Sequence, residues 1–159
     1  MKAYGKEGRG SMPLPVRIRW GMNRTPPLVI DTNVFVAALF RPDSHAGQLV
    51  EQVRQGLGHV IWNRETRRET QAIVQKIPPI DWASIANLFL QENEFRGPTE
   101  PVRFRSIPDP DDRKFAALAH AVDAILISQD DDLLAHPERL DVLVLTPREF
   151  LQGAWRRPA

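Results

Sequence analysis

The feature that most constrains this chain is a rhythm. Short apolar, β-branched runs alternate with segments long enough for helices, and acidic residues cluster where those runs end. The runs are Leu28-Val29-Ile30, His59-Val60-Ile61-Trp62, Ala124 to Ser128 and Val142 to Leu145, with Val102-Arg103-Phe104 as a further candidate. Strands buried on both faces read as nearly continuous apolar stretches, and parallel strands need a crossover, usually a helix. The pattern therefore predicts an α/β domain of three layers, with a mostly parallel central sheet of about five strands flanked by helices.

The intervening segments carry helix punctuation. Val34 to Phe40 is apolar throughout and is broken by Arg41-Pro42-Asp43, after which Ser44 can cap a helix to about Gln55, ended by Gly56 and Gly58. Asn63 can cap a helix from Arg64 to about Ile77, stopped by Pro78-Pro79. Asp81 can cap another, with Ile85, Leu88 and Leu90 as its apolar side. Asp109-Pro110 opens a helix to about Ala121 with proline in the first turn, and Pro147 to Gln152 forms a short last one.

Parallel sheets place their sites beyond the carboxyl ends of the strands. Asp31 follows the first strand and Asp130-Asp131-Asp132 follow the strand at 124–128. Asp109, Asp111 and Asp112 open one helix, and Glu65 and Glu69 lie near the start of another. These acidic elements, distant in sequence, share one sheet edge. Carboxylates brought together repel unless a cation sits among them. An all-oxygen cluster suits Mg²⁺ or Mn²⁺, whose chemistry at such sites is phosphoryl transfer. Asp109 reads as a cap and Asp111 as an exposed first-turn acid. Asp112 precedes the packed face of Phe115, Ala116 and Ala119, so it points to the sheet edge. No phosphate-binding Gly-rich loop with its lysine and no GxGxxG fingerprint is present.

Composition narrows the class. A chain of 159 residues suits one domain. It has no cysteine, which excludes a disulfide framework, a cysteine-ligated zinc and a thiol nucleophile. No run approaches the ~20 apolar residues of a membrane span, and residues 1–20 lack the apolar core of a secretory signal, so a soluble cytoplasmic protein is expected. Residues 1–26 hold six basic side chains against one acid, whereas the rest of the chain holds 15 basic and 19 acidic groups. The division expected is a basic arm over 1–26, a domain over 27–152 and a tail over 153–159. Val16 to Trp20 alternates and could add an edge strand.

These residues resemble the PIN-domain family of nucleases. The similarity is carried by V-I-D-T-N-V-F-V-A-A-L-F at 29–40, N-R-E-T-R-R-E-T at 63–70, D-P-D-D-R-K-F-A-A-L-A at 109–119, A-I-L-I-S-Q-D-D-D-L-L at 124–134 and V-L-T-P-R-E-F-L at 144–151. The nearest group is that of single-domain prokaryotic PIN proteins described as toxins of toxin–antitoxin pairs. The resemblance implies a Mg²⁺- or Mn²⁺-dependent endoribonuclease leaving a 5′-phosphate and a 3′-hydroxyl. Asp31, Glu69, Asp112 and Asp130 match the four acids. Asp31, Asp112 and Asp130 would hold metal, with Asp132 assisting through water. Asn33 and Ser128 support the site; the Ser128-Gln129 pair is a departure from the family's usual threonine and small residue. Arg64, Arg67, Arg68, Arg113 and Lys114 flank the acids and are candidates to hold RNA. Glu69 fits better than Glu65 because it lies about two turns beyond its strand. An antitoxin partner and a homodimer are also implied. The rival reading is a catalytically silent module that binds RNA or a partner. A dehalogenase-like phosphatase is disfavoured because Asn33 stands where its second aspartate belongs.

Overall fold

Four short strands carry the fold: β1 (Pro27–Ile30), β2 (His59–Val60), β3 (Ile125–Ile127) and β4 (Val144–Leu145). In a computed structural model, which describes residues 25–134 and 141–156, all of them pair in parallel in the order β2-β1-β3-β4. Leu28 stands opposite Ile125, Ile30 opposite Ile127, and Leu126 opposite Val144. Residues 1–24 of the arm, including the candidate edge strand at Val16–Trp20, lie outside the described residues.

Side chains alternate across a pleated strand. Leu28, Ile30, Val60, Ile125, Ile127 and Leu145 therefore enter one core, and Val29, Leu126 and Val144 the other. The first core is closed by α1 (Thr32–Phe40), α2 (His45–Arg54), α3 (Arg64–Gln75), α4 (Ala83–Ala86) and α7 (Pro147–Leu151), through Phe35, Leu49, Val74, Ile85 and Phe150. The second is closed by α5 (Pro110–Val122) and α6 (Asp131–Leu134), through Phe115, Leu118 and Leu133. Three layers follow, as the strand rhythm requires.

The caps account for the helix starts. The Ser44 hydroxyl accepts from the Gly47 N–H at 3.1 Å, and Asn63 and Thr66 form a reciprocal capping box. Asp109 accepts from the Asp111 N–H at 3.0 Å ahead of Pro110, so its capping role holds.

Three expectations are corrected. The sheet has four strands, because Val102-Arg103-Phe104 belongs to a 3₁₀ turn over Pro101–Phe104 that buries Phe104 and leaves Val102 69% exposed. The second run pairs as a strand only at His59–Val60; Trp62 instead makes an isolated bridge with Glu94. After Asp81, Ile85 and Leu88 are buried but Leu90 is exposed, because the helix ends at Ala86 and loses the face that Leu90 would share.

Gly47 packs α2 onto the preceding turn. A Cβ there would stand 2.2 Å from the Pro42 carbonyl oxygen. Alanine normally favours a helix interior over glycine by about 1 kcal/mol. Here backbone must move, at about 1–3 kcal/mol for overpacking. Gly47→Ala is expected to lower the melting temperature by about 3–10 °C; a rise on thermal unfolding would show that the turn yields freely.

Candidate active site

The order β2-β1-β3-β4 makes a switch point between β1 and β3. The crossover from β1 leads to β2 on one side, and that from β3 leads to β4 on the other. A crevice opens at the carboxyl ends of strands that diverge in this way. The strand ends are pinned together by the Asp31 N–H, which donates to the Ile127 carbonyl at 3.0 Å.

Asp31 occupies the cap position of α1 and is only 3% exposed. Its Oδ2 accepts from the Ser128 hydroxyl at 3.0 Å, and Ser128 Oγ in turn accepts from the Asp130 N–H at 3.0 Å. Asp130 Oδ1 accepts from the Asp132 N–H at 2.8 Å, which leaves Asp132 exposed on the first turn of α6. A chain of hydrogen bonds thus joins the ends of β1 and β3. The Ser128-Gln129 departure resolves here: serine supplies the hydroxyl that orients Asp31, while Gln129 is exposed.

Asp112 reaches the same crevice from the first turn of α5. It is 8% exposed, whereas Asp111 beside it is exposed. Burial pushes the Asp112 carboxyl up to about 8; a hydrogen bond with Asp130 and the charges of Asp31, Asp130 and Asp109 push the same way. Burial also raises Asp31 above the ordinary aspartate value. The Ser128 hydroxyl and the Asn33 backbone N–H oppose that rise, and Asp130 and Glu69 add to it. Asn33 itself is exposed.

Glu69 comes from α3, and its carboxylate is taken by the Lys114 ammonium of α5. Lys114 is also 3.7 Å from Asp111. Glu65 is exposed. Sequence reasoning missed the buried pair Thr32 Oγ1 and Thr70 Oγ1, 2.9 Å apart, which ties the start of α1 to α3 beside Glu69. A threonine next to each acid was the only signal available.

The basic residues divide. Arg113 donates to the Ile107 and Arg105 carbonyls at 2.9 and 3.2 Å, so it braces the loop before α5. Arg64 and Arg68 are exposed, and Arg67 lies against the Trp62 and Trp82 rings. Trp62 and Trp82 both pack at the first core. His120 packs against Phe104.

Among the described residues, no three His, Asp or Glu side chains form a ready-made metal-binding group. Glu69 is held by Lys114, and Asp130 accepts from its own turn. The donor chemistry still fits a hard divalent ion. The donors are carboxylate oxygens, and two of the acids are held above their ordinary values by burial and by the charges of neighbouring acids, the condition a cation relieves.

A family model described as a PIN domain matches residues 27–132, which includes Asp31, Glu69, Asp112 and Asp130. The chain belongs to the PIN-domain family. PIN domains are generally nucleases. Two solved structures are similar in fold. FitAcB from Neisseria gonorrhoeae is 19% identical, over 76% of this chain and 98% of its own, with a TM-score of 0.52. FitAB bound to an IR36 DNA fragment is 18% identical, over 76% and 94%, also with a TM-score of 0.52. No curated protein matches significantly. Among the described residues, no helix is long and apolar enough to cross a membrane.

The Lys114–Glu69 pair carries a prediction. Lys114→Met leaves Glu69 without its counter-charge beside other acids, which is expected to cost the metal-free protein about 1–3 kcal/mol. The same change should enlarge the stabilisation by Mn²⁺, because the ion then neutralises one more carboxylate. Thermal unfolding with and without Mn²⁺ reads both effects; an unchanged Mn²⁺ increment would mean that Glu69 does not face the ion.

Proposed function

We propose that this PIN protein is a Mg²⁺- or Mn²⁺-dependent endoribonuclease and the toxin of a toxin–antitoxin pair. The observation that carries the reading is the gathering of two buried aspartates, Asp31 and Asp112, with Asp130 at the β1–β3 switch point, with no basic partner for Asp31 or Asp112 among the described residues. Unpaired buried acids cost stability, and a role in holding a cation accounts for their presence.

Asp31, Asp112 and Asp130 would hold the ion, with Asp132 assisting through water. When bound, it supplies Lewis acidity that activates water and neutralises charge on the phosphodiester. Ser128 fixes the Asp31 carboxylate through its hydroxyl, and the Asp130 N–H fixes Ser128. Asp112, with its carboxyl pushed up to about 8, is the acid that would have to release a proton for a cation to be held there. Glu69 would complete the shell or orient the attacking water, and Lys114 brings positive charge to the same edge for the phosphate. In-line attack of that water on phosphorus would break the P–O3′ bond, leaving a 5′-phosphate, with a proton passing to the departing oxygen to give a 3′-hydroxyl. The toxin assignment rests on the family resemblance, and an antitoxin and a homodimer belong to the same proposal.

The test is cleavage of structured and single-stranded RNA, and of DNA of matching sequence, with Mn²⁺, Mg²⁺ or EDTA. Metal-dependent cutting of RNA over DNA supports the proposal; cutting that persists in EDTA defeats it. One observation favours a second reading, a silent binding module: Glu69 is held by Lys114. RNA binding without cleavage under every metal condition would select it.

A further inference from the structure

On the other flank of α3 from Glu69 lies a cavity of about 270 Å³ lined by Trp62, Arg64, Arg67, Arg68, Gln71 and Glu94. Its four α3 residues follow the i, i+3, i+4, i+7 spacing of one helix face, whereas Thr66, Thr70 and Val74 form the buried face. The cavity has an imbalance of charge. None of the three arginines pairs with a carboxylate of the described residues, and Glu94 is already engaged by Arg96 at 3.1 Å.

Arg67 is pre-positioned. Its guanidinium lies 5.5 Å from the ring centres of both Trp62 and Trp82. The Trp62 ring is in turn fixed by its Nε1–H, which donates to the Leu90 carbonyl at 2.8 Å. Arg67 Nε is buried and has no hydrogen-bond partner among the described residues. A buried donor left unmade costs about 1–3 kcal/mol, and Arg67, half-buried, meets the cavity through the rest of its side chain. An arginine fork held against aromatic rings is suited to a phosphate, because little side-chain entropy is lost on binding.

The position also matters. Trp62 follows β2, as Asp31 follows β1, so cavity and acids share the carboxyl edge of the sheet. Between them stands α3, about 10–12 Å wide.

We propose that Arg64, Arg67, Arg68 and Gln71, with Trp62, form a backbone-phosphate subsite for single-stranded RNA, flanking the acidic crevice. The proposal rests on the RNA reading above and names where the strand is held away from the scissile bond.

The experiment measures binding, in EDTA, of a fluorescein-labelled 20-nucleotide single-stranded RNA to the full chain across a salt series. Arg64→Ala/Arg68→Ala removes two exposed cations; Arg41→Ala/Arg148→Ala removes two others far from the cavity in sequence, with the same change in charge. The cavity pair is expected to raise Kd about tenfold and to reduce the slope of log K against log salt by about 0.7 per arginine. The distant pair should leave the slope unchanged. Arg67→Lys, which keeps the charge but loses the fork, should weaken binding severalfold. Equal effects of both pairs, or none from the cavity pair, would overturn the subsite. So would capture of polyglutamate, lost in the cavity pair, with RNA affinity unaltered; that outcome would assign the cavity to an acidic protein. Because no cleavage is needed, absence of nuclease activity would bear on the proposed reaction and leave this result standing.

Discussion

Asp112→Asn is expected to cut metal-dependent RNA cleavage by at least about a hundredfold while making the metal-free protein more stable. The two effects have one cause. The Asp112 carboxyl is pushed up to about 8 from 3.8 by burial and neighbouring acids, so between those values the folded state binds more protons than the unfolded one. Stability contributed by the protonated acid is therefore fully present below the unfolded value and is lost as pH rises through the folded one. Asparagine stays neutral, so its advantage grows with pH. A gain of about 3–6 °C in melting temperature is expected at pH 8.5 in EDTA, with little gain at pH 5. A lower melting temperature at pH 8.5 would mean that the carboxylate itself holds the fold together, and the metal-ligand role would fall.

The second large effect is stabilisation by metal. At a hundred times its dissociation constant, a ligand that binds only the folded state adds about 2.7 kcal/mol. For a chain of this length that is about 5–10 °C. Mn²⁺ or Mg²⁺ at millimolar concentration should produce such a shift, and Asp31→Asn should remove it. The increment should be larger at pH 8 than at pH 6, since the ion must displace the proton that Asp112 retains at the lower pH. No increment at either pH would leave the acids without a cation and shift the weight to the silent module.

Much of this was legible in the chain because burial and capping are local chemistry. Leu28-Val29-Ile30 could be little but a buried strand, and Asn63 and Asp109 announced their helices; the structure returns all three. Val102-Arg103-Phe104 misled because two large apolar residues around a charge satisfy period two as well as a tight turn. Only Phe104 finds a core, and Pro101 cannot donate to a ladder. The brace from Arg113 to the Ile107 and Arg105 carbonyls was not legible for another reason: no spacing reveals which carbonyls a loop turns toward an arginine. The lock of Glu69 by Lys114 joins residues 45 apart in sequence and was equally invisible.

The bond between Ser128 and Asp31 spans 97 residues. Chains emerge from the ribosome at about 5–20 residues per second, so Asp31 waits on the order of 5–20 s for the strand that completes its surroundings. Until β3 slots in beside β1, the acids of the first half have no edge on which to meet those of the second. A nuclease built this way would be harmless to the message that encodes it for most of its own synthesis, and a product truncated before β3 would stay so.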